Sequence, residues 1–167
     1  MSLQPDCVRY LRNAPEGLCL EFGVMGGRST RLLAESGRTI YAFDSFRGLP
    51  HDWGWDDRRG IFAHPRPTDL PDNVVIHEGL FSDTLEVFLG GTDERIGFCH
   101  IDCDIYTSCA YVLNCLSKRW QAGSIIIFDD IRQDNLPGER RAWERHRKDW
   151  ELIELEHSHG EIWRRGL

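Results

Sequence analysis

Short apolar runs alternate with amphipathic segments along most of the chain, and this alternation limits the possible folds more than any other feature. The apolar runs predict strands at 17–23, 38–44, 73–79, 95–102 and 123–130. The amphipathic segments predict helices at 28–36, 82–90, 108–120 and 138–149. Alternating strands and helices are typical of a parallel sheet that is covered by helices on both faces.

The C-terminal segments "WELIELEH" and "GEIWRRG" predict two more strands, joined by a tight turn at Ser158-His159-Gly160. A loop this short cannot carry a crossover, so one strand of this pair has to run antiparallel. The sequence therefore predicts an α/β fold with a doubly wound, mostly parallel, seven-stranded sheet and an antiparallel C-terminal strand. Its 167 residues fit a single domain that spans 1–167.

Net charge and hydropathy narrow the range of partners. The net charge of −7 argues against nucleic acid, because phosphate binding needs a basic surface. The run "GERRAWERHRKDW" mixes acids and bases at helical spacing, which predicts a solvated helix face. No segment approaches the roughly 18 apolar residues of a membrane span, and the N-terminus lacks the apolar core of a signal peptide. We therefore expect no membrane partner and a cytoplasmic protein.

One long irregular segment, 45–72, interrupts the alternation. Loops of this length inside compact domains are usually functional or disordered. Trp53, Trp55 and Phe62 argue against disorder, because aromatic side chains are rare in disordered segments. We expect this loop to cover a substrate, with a purely structural flap as the alternative.

The stretch "LEFGVMGGRST", from Leu20 to Thr30, joins the first predicted strand to the first predicted helix through a glycine-rich turn. Glycines allow a sharp turn and let a ligand approach the backbone, while the helix start offers free N–H groups. The spacing of Gly23 and Gly27 differs from the GxGxxG pattern of NAD-binding turns. Glu21 would repel a pyrophosphate but attract an ammonium or sulfonium group. An NAD-dependent oxidoreductase is therefore the less favoured enzyme, and a plain structural turn also stays open.

Asp44 ends the second predicted strand, about twenty residues after the glycine-rich turn. An acid at this place accepts hydrogen bonds from ribose hydroxyls in dinucleotide-binding folds. An aspartate at a strand end is also a common turn former. Together with the glycine-rich turn, Asp44 favours a ligand that contains adenosine.

Four aspartates follow two further strands, in "HIDCDIY" and "IIIFDD". If the first, fourth and fifth strands are neighbours, Asp102 and Asp129 end strands about 4.8 Å apart, and Asp130 lies beside them. Carboxylates crowded in this way need a cation or have to stay protonated. Oxygen ligands suit Mg²⁺, with Ca²⁺ or Mn²⁺ as substitutes. The alternative is that Asp130 caps the next segment and Asp104 lies in a turn.

The blocks "LEFGVMGGRST", "YAFDSFRGLP", "EGLFSDTL", "HIDCDIYTS" and "GSIIIFDD" follow one another between about residues 18 and 131. Together they resemble the macrocin O-methyltransferase family of class I S-adenosylmethionine-dependent methyltransferases, whose known members methylate sugar hydroxyls in antibiotic biosynthesis. The blocks "FDSF-x-GLP" and "HID-x-D-x-Y" are the specific ones. The resemblance implies a Rossmann-like methyltransferase fold, with S-adenosylmethionine and a divalent metal as cofactors.

The resemblance also implies roles for individual residues. Those expected to contact S-adenosylmethionine lie in its blocks and are Glu21, Gly23, Gly27, Asp44, Ser45, Gly79, Leu80, Phe81 and Asp102. Among them, Asp44 would hold the ribose hydroxyls, and residues 79–81 would lie near the adenine. The implied metal ligands are Asp102, Asp129 and Asp130. Asp104 matches a carboxylate proposed as the general base in some relatives.

These residues predict a mechanism for methyl transfer to a hydroxyl oxygen. A metal would bind the acceptor hydroxyl and lower its pKa, and Asp104 or Asp102 would take the proton. His51, His77 and His100 are alternative bases, although His77 and His100 lie within strands and are expected to be core residues. The expected acceptor is a small molecule, sugar-like or phenol-like. A degenerate protein that binds the cofactor without catalysis is the main alternative, and whether the chain forms a homo-oligomer is open.

Overall fold

One sheet contains all the strands of the computed structural model, which describes residues 8–52, 59–132, 138–156 and 160–166. The strands are β1 (Leu18–Phe22), β2 (Ile40–Asp44), β3 (Val74–Glu78), β4 (Ile96–Ile101), β5 (Trp120–Phe128), β6 (Trp150–Glu156) and β7 (Gly160–Arg165). The helices are α1 (Val8–Asn13), α2 (Arg28–Ala34), α3 (Phe81–Gly90), α4 (Tyr106–Leu116) and α5 (Gly138–Trp143). A single 3₁₀ turn, Arg147–Asp149, precedes β6.

The strand order is β3-β2-β1-β4-β5-β7-β6. Strands β1 to β5 pair in parallel, whereas β7 runs antiparallel to both β5 and β6. The predicted fold class is therefore confirmed, and so is the predicted neighbourhood of the first, fourth and fifth strands. The order reverses between β1 and β4, which is where ligands bind in doubly wound sheets, beyond the carboxyl ends of the strands.

The core has two parts because helices cover both faces of the sheet. Every residue of β1 and β4 is buried. Alternate residues belong to different clusters: Leu20 and Phe22 pack with α3, α4 and α5, while Cys19 packs with α1 and α2. This burial on both faces explains why the central strands are continuous apolar runs in the sequence.

Several element boundaries differ from the sequence predictions, and β5, predicted at 123–130, spans Trp120–Phe128. The helix predicted at 108–120 begins earlier, at Tyr106, and ends at Leu116, because Trp120 already pairs with Ile96 at the start of β5. The helix predicted at 138–149 ends at Trp143. Helix α1 was not predicted. The predicted turn residues Ser158 and His159, like Trp53 and Trp55, lie outside the described residues.

Two stretches of the long loop, 46–52 and 59–70, form a unit that we call the flap. They lie side by side, because Leu49 N donates to the Ile61 carbonyl oxygen at 3.0 Å and Gly60 N donates to the Leu49 carbonyl oxygen at 2.9 Å. Two surface ion pairs, Arg31 with Asp69 and Arg66 with Glu78, join the flap to α2 and β3. The flap therefore lies over the carboxyl ends of the strands.

No helix within the described ranges is both long and apolar enough to cross a membrane.

Candidate active site

A cavity of about 460 Å³ lies between the carboxyl ends of the strands and the flap. Its walls include most of the predicted site residues, namely Gly23, Asp44, Ser45, Gly79, Leu80, Phe81, Asp102, Asp104 and Asp130. Glu21, Gly27 and Asp129 do not belong to the lining. Other residues that line the cavity had no individual role predicted from the sequence, among them Met25, Arg28, Leu49 and Ser108.

The glycine-rich turn forms one wall and touches the loop that follows β4. Gly23 has a positive φ of 96°, and a Cβ atom there would lie 1.9 Å from the Asp102 carbonyl oxygen. Asp102 N in turn donates to the Phe22 carbonyl oxygen at 2.9 Å. A residue other than glycine would separate the two turns, so the contact explains why the sequence has glycine at position 23.

Asp44 connects the end of β2 to the same turn. Its Oδ2 accepts hydrogen bonds from Val24 N and Met25 N, both at 2.8 Å, and its Oδ1 accepts one from Phe46 N at 2.8 Å. A carboxylate offers about four acceptor positions, so these three bonds leave acceptor capacity on the cavity side. Asp44 can therefore hold the glycine-rich turn and still accept a hydroxyl of a ligand.

Acidic side chains from the loops after β4 and β5 meet at the cavity. Ligand atoms of Asp102, Asp104 and Asp130 all lie within 4.8 Å of one another, and those of Asp102, Asp129 and His100 form a second such group. Asp102 belongs to both groups. Of the three predicted metal ligands, Asp102 thus lies near Asp129 in one group and near Asp130 in the other. Asp104 adds a carboxylate on the cavity side, and His100 adds an imidazole on the buried side.

The crowding of carboxylates has an electrostatic consequence. Burial, reinforced by Asp129, Asp104 and further carboxylates, raises the pKa of Asp102 well above its usual range. A nearby cation would remove this repulsion and favour the ionised form. The donors on offer are carboxylate oxygens, which are the ligands of Mg²⁺, Mn²⁺ and Ca²⁺, so the residues present fit a hard divalent cation.

Glu21 lies beneath the cavity and not in its wall. Its Oε1 is 3.3 Å from His100 Nδ1, and both side chains are 0% exposed. The two residues are register partners on the adjacent strands β1 and β4. The predicted contact of Glu21 with a cofactor stays a prediction, and His100 is the core residue that its strand position predicts.

The other two histidines considered as bases also lie outside the cavity lining. The His77 ring stacks on Phe43 at 4.7 Å between ring centroids and meets Phe88 edge-on at 4.8 Å. Burial lowers the pKa of His77. His51 is exposed in the flap.

Glu139, in the first turn of α5, was missed by sequence reasoning. Its Oε1 accepts hydrogen bonds from Cys103 N at 3.0 Å and Asp104 N at 3.1 Å, and the side chain is 1% exposed. The mixed charges of "GERRAWERHRKDW" predict a solvated helix face, and for Glu139 that prediction is wrong because α5 packs this residue onto the loop after β4. No local signal distinguishes it from the exposed Glu144 nearby.

Comparisons with known proteins identify the fold and the family of the chain. No curated protein sequence matches the chain. The calicheamicin methyltransferase CalS11 has a similar structure, with a TM-score of 0.82, 24% sequence identity, and coverage of 96% of this chain and 76% of CalS11. The O-methyltransferase NovP gives a TM-score of 0.73 at 24% identity, covering 98% of this chain and 78% of NovP.

An O-methyltransferase from Bacillus cereus, solved in complex with S-adenosylhomocysteine (SAH), gives a TM-score of 0.65 at 21% identity, covering 99% of this chain and 83% of its own. These likenesses confirm the Rossmann-like methyltransferase fold. A family model described as a methyltransferase domain matches residues 20–131, which span the glycine-rich turn, Asp44 and all four aspartates. The chain therefore belongs to the methyltransferase domain family.

Proposed function

We propose that this protein transfers the methyl group of S-adenosylmethionine to a hydroxyl oxygen of a small molecule with the help of a divalent cation, Mg²⁺ in the first instance. The observation that carries the proposal is that one cavity contains both the glycine-rich turn with Asp44 and the acid cluster of Asp102, Asp104 and Asp130. A methyl donor and a hydroxyl acceptor would therefore meet within a single cavity.

The cofactor half of the proposal rests on the walls formed by β1, β2 and the start of α3. Asp44 would accept hydrogen bonds from the ribose hydroxyls, Ser45 would lie beside the adenosine, and Gly79, Leu80 and Phe81 would border the adenine. Gly23 leaves room for the methionine part, next to Asp102. The Bacillus cereus relative was solved with SAH, which supports the same cofactor class here.

The metal half rests on the acid cluster. Asp102, Asp129 and Asp130 would hold the cation, because they follow neighbouring strands and Asp102 has a ligand atom within 4.8 Å of one from each of the other two. A divalent cation bound there would supply positive charge that lowers the pKa of an acceptor hydroxyl. Asp104 lines the cavity beside this spot and accepts the hydroxyl proton.

The flap supports the choice of a small acceptor. Together with the strand ends it borders the cavity, and Asp104 and the cofactor walls would align the reacting groups there. The apolar walls Leu49 and Phe62 suit a ring face, and Arg28 and Ser108 offer polar contacts. A sugar-like or phenol-like acceptor fits this lining. CalS11 is described as a TDP-rhamnose 3'-O-methyltransferase, which favours a sugar-like acceptor over a phenol-like one.

Calorimetry with two titrants tests both halves. SAH should bind the wild-type protein, and Mg²⁺ titrated into that complex should bind as well. Asp44→Asn should weaken SAH binding about 10- to 100-fold, because a hydrogen bond to a charged group is worth about 1.5–3 kcal/mol. Asp130→Asn should abolish Mg²⁺ binding and leave the SAH affinity within about twofold, because Asp130 is not among the residues expected to contact the cofactor.

Asp93→Asn is the matched control, since Asp93 is exposed in the turn between α3 and β4 and lies outside the cavity lining. Full SAH affinity in Asp44→Asn would refute the ribose contact, and unchanged Mg²⁺ binding in Asp130→Asn would refute the metal site. SAH binding without any Mg²⁺ binding would favour a protein that only binds the cofactor. Binding of NAD but not SAH would favour the oxidoreductase.

A further inference from the structure

Glu139 belongs to α5 but makes its hydrogen bonds to another element, the loop after β4. Its Oε1 accepts from both Cys103 N and Asp104 N, at 3.0 and 3.1 Å. Its Oε2 is buried and has no hydrogen-bond partner among the described residues. The interaction thus depends on one oxygen atom that has to reach two neighbouring backbone N–H groups.

The loop that receives this oxygen is strained. Asp104 has a φ of 60°, in the left-handed region that costs a residue with a side chain about 1–2 kcal/mol. In this conformation successive N–H groups turn toward the same side and form a concavity that binds anions. The Glu139 carboxylate occupies that concavity, so it offsets the strain and fixes the backbone between Asp102 and Asp104.

The start of α5 also contacts the second acid-bearing loop. Arg140 Nε donates to the Ile131 carbonyl oxygen at 3.1 Å, immediately after Asp129 and Asp130. Gly138 lies so close to the first loop that a Cβ atom would be 2.4 Å from the Asp104 carbonyl oxygen. The first turn of α5 therefore fixes both loops relative to each other, and Glu139 is the residue that holds the loop of Asp102 and Asp104.

A carboxylate is a costly choice for this place. Asp102, Asp104 and Asp130 already crowd the site, and one more buried acid adds repulsion that an uncharged residue would avoid. An apolar side chain of similar length would fill the volume but could not accept from the two N–H groups. What the contacts with Cys103 N and Asp104 N require is an acceptor oxygen at this one position.

We propose that Glu139 is a positioning residue for the acid cluster: its Oε1 holds the Cys103–Asp104 backbone in the conformation in which Asp102 and Asp104 both line the cavity. This inference rests on the proposed metal-assisted function and assigns it a residue that does not itself touch the cation or the acceptor.

Two conservative variants separate position from charge. Glu139→Gln keeps an oxygen at the same distance from the backbone and removes the charge, whereas Glu139→Asp keeps the charge and withdraws the oxygen by one methylene. Electron paramagnetic resonance measures the affinity for Mn²⁺ in the complex with SAH. This affinity should stay within about threefold of the wild-type value in Glu139→Gln and fall about tenfold in Glu139→Asp. Glu144→Gln and Glu144→Asp are the matched controls, because Glu144 is exposed and follows α5 directly.

Amide hydrogen exchange gives a second readout that needs no cation. The N–H groups of Cys103 and Asp104 should be protected in the wild type and in Glu139→Gln, and should exchange faster in Glu139→Asp, while core amides of β4 stay protected in all three. Unchanged exchange and Mn²⁺ affinity in Glu139→Asp would overturn the positioning role. Weaker Mn²⁺ binding in Glu139→Gln together with wild-type binding in Glu139→Asp would overturn the positioning role in favour of an electrostatic one.

These outcomes are distinct from failure of the proposed function. A wild-type protein that binds SAH but no Mn²⁺ would overturn the metal-assisted reaction, and with it a role in metal binding. Exchange at Cys103 and Asp104 would then still report whether Glu139 holds the loop.

Discussion

At the scale of single residues, Gly23 and Gly37 form a natural comparison. Both have positive φ, 96° and 79°, but a Cβ at Gly23 would overlap the Asp102 carbonyl oxygen, whereas a Cβ at Gly37 would meet nothing within 4 Å. Gly37→Ala should lower the free energy of unfolding by about 1–2 kcal/mol, the cost of the backbone conformation alone. Gly23→Ala should cost about 1–3 kcal/mol more, because the two turns have to separate.

Urea unfolding of both variants measures this difference. Gly23→Ala should also weaken SAH binding, while Gly37→Ala should not, since Gly37 lies at the far end of α2. Equal losses of stability in the two variants would show that backbone conformation, and not the contact with Asp102, explains glycine at position 23.

His77 should make stability depend on pH. Burial against Phe43 and Phe88 lowers its pKa below the usual value of about 6.5. The unfolded chain therefore binds more protons below about pH 6.5, so the stability present above that pH is lost as pH falls toward the folded-state pKa. His77→Phe keeps an aromatic ring and removes the proton-binding site.

Between pH 7.5 and pH 5.5, the free energy of unfolding in urea should accordingly fall less for His77→Phe than for the wild type. Part of the slope should remain, because burial, helped by Arg145, also lowers the pKa of His146. An unchanged pH dependence would contradict the prediction that burial of His77 contributes to it.

At the scale of elements, α5 depends on its packing. It has only six residues, whereas isolated helices shorter than about 12–15 residues are marginal in water. Trp143 is 2% exposed, and the centroid of its ring system lies 4.9 Å from that of Phe128 and 5.2 Å from that of Trp150. This contact attaches the helix, and with it Glu139, to the sheet.

Trp143→Ala should therefore destabilise the protein by about 3–5 kcal/mol and speed amide exchange at Cys103 and Asp104. Trp143→Phe should cost far less, because it keeps most of the ring contact and removes an indole N–H that is buried without a hydrogen-bond partner among the described residues. Urea unfolding measures both variants. Similar losses for Ala and Phe would contradict a packing role for the ring.

At the scale of the whole molecule, the alternation of apolar runs and amphipathic segments predicted the sheet and the proximity of the aspartates that follow its strands. Continuous apolar runs mark strands buried on both faces, and parallel strands bring their carboxyl ends to one edge, so the amino-acid sequence alone was enough to predict that Asp102 lies near Asp129 and near Asp130. The pairing of Glu21 with His100 could not be predicted, because it depends on the register between β1 and β4. The role of Glu139 could not be predicted either. Its burial depends on how the short helix α5 packs, and the local sequence gives no sign of that packing.

Helix α1 illustrates the same limit. Its buried residues are Val8 and Leu11, too few for a helical period to be recognised. Leu11 nevertheless belongs to the cluster under β1 and β4, with Phe98 and Ile127. Short elements gain their structure from the sheet they cover, so sequence patterns predict the central strands better than the segments that pack on them.

The flap differs from the rest of the cavity wall in how it is attached. Strand ends and core packing hold the glycine-rich turn and the acid cluster. The flap is anchored at its first residue, Phe46, which packs on the core and bonds to Asp44, and beyond that residue it has its own backbone hydrogen bonds and two surface ion pairs, each worth about 0–1 kcal/mol. If the proposed function holds, core elements of the domain form the side of the cavity that binds the methyl donor, and a surface loop forms the flap side. On that division, a change of sequence confined to the flap is expected to change which acceptor is methylated and to leave the affinity for the methyl donor as it was.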